Sequence, residues 1–295
     1  MKHLDLKIFS KNDSHELIEN YFLNIKKPFV IRGILKSDVN LNFLDENYSE
    51  IKVLSLNPKS EKEKLPISSL IKKVRNGEKY RLRANTVIGN KISKHIDTSL
   101  IKKLTNKILS PLDFLLSLGK TSRQKTLFLS TKGCTFTKHA HVISGLIIHL
   151  EGKKTWYISK TREKFSRIKY KSLLHPNPLY VTDKCLGDEF EVDLKPGDLL
   201  YIPAYWFHYT VSHGINLSYS YFFTESISYY MKNSFKMFFY EALTNPFQSL
   251  IKSIRQEPEE HIFDKNDIVK NCYKKISDSQ QREQALSFFK EGDYS

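Results

Sequence analysis

Two short segments constrain this chain more than anything else in it. GCTFTKHAHVISGLIIHLEG runs from Gly133 to Gly152, and GDLLYIPAYWFHYTVS from Gly197 to Ser212. Both lie in a region beginning near Thr126 that is built from short runs rich in β-branched and aromatic residues. TLFLS, GLIIHL, KTWYIS, DLLYIP and NLSYSYFF are its strands, punctuated by Gly, Pro and Asn. Several strands at short, regular spacing predict an all-β sandwich or barrel. Side chains two apart on a strand share a face, so His139 and His141 should project together into the interior. His208 follows a Gly-Asp turn and a buried strand, where a neighbouring antiparallel strand can bring it alongside them. Three imidazoles with the remaining positions open suit iron(II), and also zinc, copper, nickel or manganese. Ten histidines in the chain make chance pairs common. The spacing argues otherwise: Gly, five residues, His-x-His, then Gly, five residues, Pro, and a His five beyond.

The flanking regions differ in character. SHELIENYFLN, from Ser14 to Asn24, places Leu17, Ile18, Tyr21 and Phe22 at helical spacing with Ser14 as a cap. KPFVIRGIL reads as a proline, a buried strand and a turn glycine. PISSLIKKVRNG predicts a helix closed by Asn76-Gly77, followed by a strand over Tyr80 to Arg83. Pro111 opens another short helical stretch. After about Ser226 the pattern turns helical again, with Tyr230, Phe235, Phe238, Phe239 and Leu243 on one stripe, broken near Pro246. Such a stripe suits a core or a dimer interface.

Charge is distributed unevenly. The formal net charge is +15, and between Lys52 and Lys125 there are 18 Lys or Arg against 5 Asp or Glu. That face suits an anionic partner such as RNA or an acidic protein, and a solvated lysine-rich surface is the alternative. No run of 18 apolar residues predicts a membrane span, and the N-terminus has no apolar signal-peptide core. Three scattered cysteines, with no C-x-x-C pair, predict a reducing, intracellular (cytoplasmic) setting rather than a disulfide framework.

The paired histidine segments resemble the two motifs of the cupin superfamily, and more closely those of the JmjC-like (cupin-8) oxygenases, which include protein and tRNA hydroxylases. The likeness runs from about Lys27 to Lys252, and PGDLLYIPAYWFH is its most specific stretch. It implies a mainly β, double-stranded β-helix (jelly-roll) barrel with N-terminal α/β elements and C-terminal helices. The implied division is an oxygenase domain over 1–225, its barrel core about 126–224, and a helical region over 226–295. The likeness of KMFFYEALTNPFQSLI to dimerising helices in that family implies a homodimer.

The resemblance also implies a site. Iron(II) would be held by His139 and His208, with His141 where the family has an aspartate. Lys154, fifteen residues after His139, would bind the far carboxylate of 2-oxoglutarate. Thr135 or Thr137 falls near the family's Ser/Thr before the first histidine. Tyr80 or Arg81 falls at its barrel-entry tyrosine, and Ser220 at a late asparagine. Gly145 stands where another asparagine is common. From strand alternation His149 should share the inner face and could contact substrate, Tyr205 could line the pocket, and Trp206 should pack the rim. Asp198 fits a structural turn, and Cys134 a buried thiol. Three readings follow. The first is a 2-oxoglutarate-dependent iron(II) hydroxylase acting on a macromolecular or anionic substrate. The second is a three-His cupin dioxygenase that does not use 2-oxoglutarate. The third is a non-catalytic barrel that binds RNA or protein through its basic N-terminal half.

Overall fold

A computed structural model of the chain describes residues 6–57, 62–82, 85–106, 123–134, 139–141, 143–160, 169–170, 179–181, 189–226 and 228–232. The helical stretch expected after Pro111, the threonines Thr135 and Thr137, and most of the C-terminal helical region lie outside these residues.

Fifteen strands form two sheets among the described residues. They are β1 (Lys7–Ser10), β2 (Phe29–Arg32), β3 (Lys52–Leu56), β4 (Lys62–Pro66), β5 (Arg81–Leu82), β6 (Arg123–Ser130), β7 (His139–His141) and β8 (Ser144–Glu151). The rest are β9 (Lys154–Lys160), β10 (Lys169–Tyr170), β11 (Leu179–Val181), β12 (Glu189–Leu194), β13 (Leu199–Ile202), β14 (Trp206–Ser212) and β15 (Asn216–Phe223). The larger sheet runs β1-β2-β13-β8-β15-β6-β5-β3-β4, and the smaller β10-β11-β7-β14-β9-β12. Apart from the parallel pair β1 and β2, every ladder is antiparallel.

This is the mainly β jelly-roll arrangement, with one correction. No ladder among the described residues joins the two sheets, so they face each other as a sandwich and do not close into a barrel. The N-terminal elements are integral to it, because β1 and β2 extend the larger sheet at one end and β3 to β5 at the other.

Alternation along the strands sorts side chains into two cores. On the outer face of the larger sheet Leu146, Ile148, Leu199, Tyr201, Tyr219 and Phe223 pack with the helical residues Ile18, Phe22, Ile88 and Ile101. Between the sheets Val30, Ile147, Leu200 and Ile202 meet Trp156, Ile158, Phe190 and Trp206. The first core is larger and almost wholly apolar, so it carries most of the hydrophobic stabilisation.

The helices are α1 (His15–Asn20), α2 (Leu41–Tyr48), α3 (Ile67–Arg75), α4 (Thr86–Ile92) and α5 (Ser99–Asn106). Ser14 caps α1 by accepting from the Leu17 amide at 3.2 Å. A π-turn over Tyr21–Ile25 continues that helix, so Ile18 and Phe22 reach the core while Leu17 stays exposed. Gly77, at φ +84, ends α3 where Asn76-Gly77 was expected to. In α4, Gly89 lies so near the main chain of Lys125 that a Cβ would stand 2.3 Å from its carbonyl oxygen. Helix and strand can approach that closely only because the side chain is absent. No helix among the described residues is long and apolar enough to cross a membrane.

Candidate metal centre

The smaller sheet assembles three imidazoles from two strands. On β7, His139 and His141 flank Ala140 and share the inward face. Directly across the ladder His208 of β14 stands opposite His139. The ring centroids of His139 and His208 lie 4.5 Å apart, those of His139 and His141 4.8 Å, and those of His141 and His208 5.4 Å. One nitrogen from each ring falls within 4.8 Å of the other two. Nitrogens bound to one ion at about 2.1 Å lie roughly 3–3.5 Å apart, so the donor set fits a single metal after small side-chain adjustment.

Protonation favours the same use. Burial, with His139 and then His141 as like-charged neighbours, holds His208 well below the usual histidine range. Burial and His139 do the same to His141. Both rings are therefore neutral at physiological pH, the form that ligates. The Nδ1 of His208 donates to the carbonyl of Trp206 at 3.0 Å. That contact fixes the tautomer and leaves the Nε2 lone pair available to a metal. The carbonyl of His141 is held too, accepting from the Tyr205 amide at 2.8 Å.

Beyond His208 the inner face turns from imidazole to cation. Trp156 lies 5.6 Å from the His208 ring, and the ammonium of Lys154 lies 5.9 Å from Trp156. Amine and imidazole thus stand on two sides of one indole. Lys154 is only 6% exposed and donates to the Ser130 hydroxyl at 3.3 Å, itself 2.9 Å from the hydroxyl of Ser212. Burial pushes the amine down to about 8, with Arg81 adding repulsion and Cys134 opposing it. No ion pair to Lys154 occurs among the described residues.

Arg81, 7% exposed, pairs with Ser130 on the neighbouring strand and so shares its face. The other barrel-entry candidate, Tyr80, belongs to the outer core, where its hydroxyl contacts Glu63 at 3.1 Å. The residue brought towards Lys154 is therefore Arg81 and not Tyr80, because neighbours on a strand face opposite ways. The Cys134 thiol is buried near both cations; burial pushes it up and they draw it down.

Several other candidates are placed. Ser220 is buried on the inner face opposite Ile147. His149 is also on that face and fully buried, yet it does not join the imidazole cluster. Its Nε2 contacts the Gly152 carbonyl at 3.0 Å, and burial together with Lys154 lowers it to about 4. Trp206 packs against Phe190 at 6.0 Å in the inter-sheet core. Tyr205 directs its ring to Tyr230, 5.9 Å away. Asp198 is structural, accepting from Gly33 and Lys195 amides and pairing with Arg32 at 2.6 Å. Two residues of the site were not singled out from the sequence. Trp156 is one, although its two-residue spacing from Lys154 and Ile158 marks the inner face. Phe222, 5.5 Å from His141, is the other. A Cβ on Gly145 would stand 3.1 Å from that ring, so the bare glycine lets Phe222 pack closely over β8.

The family model of the JmjC domain matches residues 104–231. The chain carries a JmjC domain. Its matched span begins in α5, runs through the strands of both histidine motifs and ends in the helical residues 228–232. Among curated proteins the comparison finds no match. Within the matched span the histidine-bearing strands β7 and β14 are adjacent, and Lys154 lies on β9, the next strand beyond β14.

Proposed function

We propose that this JmjC domain is a non-haem iron(II) oxygenase that uses 2-oxoglutarate to hydroxylate an anionic or macromolecular substrate. JmjC domains are typically oxygenases or demethylases. The observation that carries the reading is the pairing of three clustered imidazoles with a buried cation on the same inner face. When bound, iron(II) would activate dioxygen, which is the oxidant, and 2-oxoglutarate would supply two of the four electrons that dioxygen takes up, the substrate C–H bond supplying the other two.

The chain's own residues do the rest. His139, His141 and His208 hold the metal. Lys154, with Arg81 beside it, receives the far carboxylate of the co-substrate; an anion between them relieves their mutual repulsion and the cost of burying them. Ser130 and Ser212 supply further hydrogen-bonding hydroxyls. Trp156 and Phe222 wall the interior with aromatic surface and limit water near the imidazoles. The exposed cations Lys64, Lys72, Arg75, Lys91 and Lys102 support an anionic substrate.

The test is anaerobic loading with iron(II), then titration with 2-oxoglutarate while its metal-to-ligand absorption band is followed. Stoichiometric iron and a saturable band are the expected results, with loss of both in His208→Ala. A chain that binds neither iron nor 2-oxoglutarate sinks the reading.

His141 favours a second reading, because a neutral imidazole stands where a carboxylate would bring negative charge to the metal. This is a three-His dioxygenase that binds substrate without 2-oxoglutarate. Lys154→Ala separates the two: oxygenase turnover survives it under the second reading and is lost under the first.

A further inference from the structure

Among the described residues only two that are not glycine have a positive φ, Lys26 at 52° and Tyr205 at 65°. Such conformations cost free energy and persist only where the surroundings over-determine them. They are far apart in sequence, yet both belong to one buried network. Its centre is Glu225, 1% exposed. One carboxylate oxygen accepts from the hydroxyls of Ser144 and Tyr201, each at 2.7 Å. The other pairs with the ammonium of Lys26, also at 2.7 Å.

The network continues into the turn that precedes β14. The Ser144 hydroxyl, having donated to Glu225, accepts from the Ala204 amide at 2.9 Å. The Tyr229 hydroxyl donates to the Ala204 carbonyl at 2.8 Å, and the Glu225 amide donates to the Tyr230 hydroxyl at 3.1 Å. Ala204 is thus gripped at both main-chain groups. The next residue, Tyr205, takes the left-handed conformation and donates its amide to the carbonyl of His141. The one after it, Trp206, offers the carbonyl that fixes the His208 ring. The main chain of His141 and the ring of His208 are therefore both tied to one strained turn, and that turn is held by Glu225 through Ser144.

We propose that Ser144 is a positioning residue for the three-histidine centre, setting the main chain of His141 and the ring of His208 through the Pro203–Trp206 turn, and that an acceptor oxygen of Glu225, rather than its charge, anchors the Ser144 hydroxyl. The proposal rests on the reading that these imidazoles bind a metal. It predicts that metal geometry responds to a single hydroxyl which touches neither the metal nor any histidine.

The test is a cobalt(II) titration of the full-length chain, reading affinity and the visible absorption spectrum, with thermal stability measured in parallel. Ser144→Ala should lower cobalt affinity about tenfold or more and shift the spectrum, as loss of a group that orients ligands does. Glu225→Gln keeps an oxygen for Ser144 and loses the charge opposite Lys26. It should lower the melting temperature yet leave spectrum and affinity close to wild type. Ser144→Ala protein with wild-type spectrum and affinity overturns the proposal, as does a Glu225→Gln spectrum perturbed as much as that of Ser144→Ala. A wild-type chain that binds no cobalt overturns the metal reading itself and the proposal with it.

Discussion

Lys154 carries the sharpest conflict between stability and use. Its amine is pushed from the ordinary 10.5 down to about 8 by burial, a displacement worth about 3 kcal/mol. Because the folded value lies below the unfolded one, the unfolded chain holds more protons between about pH 8 and 10.5, and stability rises with pH through that window. Lys154→Met should therefore stabilise the protein at pH 7, by up to about 3 kcal/mol in thermal denaturation. The difference from wild type should shrink as pH climbs past 8 and vanish near 10.5. The same variant should bind 2-oxoglutarate at least about tenfold more weakly by calorimetry, since a charge-assisted contact is gone. The three histidines were legible in the sequence because the strand period and the motif spacing place them, and Lys154 was singled out only through the family resemblance. The choice of Arg81 over Tyr80, and the parts played by Trp156 and Phe222, were not legible there, because they depend on which strands become neighbours across the sandwich. Phe222 in particular packs over Gly145, a contact between β15 and β8 that one strand's pattern does not encode.

Elements were legible where a local rule decides them. α3 ends at Asn76-Gly77 because glycine accepts the left-handed cap, and α1 begins at Ser14 because its hydroxyl accepts an amide. The β3–β4 hairpin was missed, since KVLSL and KEKLP are short and half polar and owe their pairing to the sheet edge beside β5. β12 was missed for a similar reason: EFEVDL alternates, yet only its ladder to β9 makes it a strand. The tightest connection is the β8–β9 turn. Gly152 has φ +82, and a Cβ there would stand 2.0 Å from the Ile215 carbonyl oxygen. Gly152→Ala should cost about 2–4 kcal/mol in urea denaturation. Because Lys154 is two residues on, 2-oxoglutarate affinity should fall as well. Asp198→Ala, which removes acceptors from Gly33, Lys195 and Arg32 at the junction of β2 and β13, should cost a similar amount. Its metal content should stay intact, because that junction lies off the histidine-bearing sheet.

For the whole molecule, net charge makes the prediction. A chain at +15, with its excess gathered before β6, should bind an RNA oligomer through counterion release. Retention should fall at least about tenfold between roughly 50 and 200 mM salt and should survive His208→Ala, measured by fluorescence anisotropy. Binding that ignores salt would count against an anionic substrate.

The order of strands in the larger sheet has a consequence for how the chain is made. β2 sits between β1 and β13, and Arg32 finds Asp198 across 166 residues. A chain emerging from its N-terminus must therefore expose the far edge of β2 until β13 has been synthesised. Contacts of such sequence separation are slow to form, and an unpaired edge invites other chains. His208 comes later still, on the strand after β13, so the third imidazole joins the cluster only once the larger sheet can close around β13. On the proposed metal-binding reading, acquisition of metal would thereby be tied to the end of folding, and a truncated or stalled chain offers at most a pair of histidines.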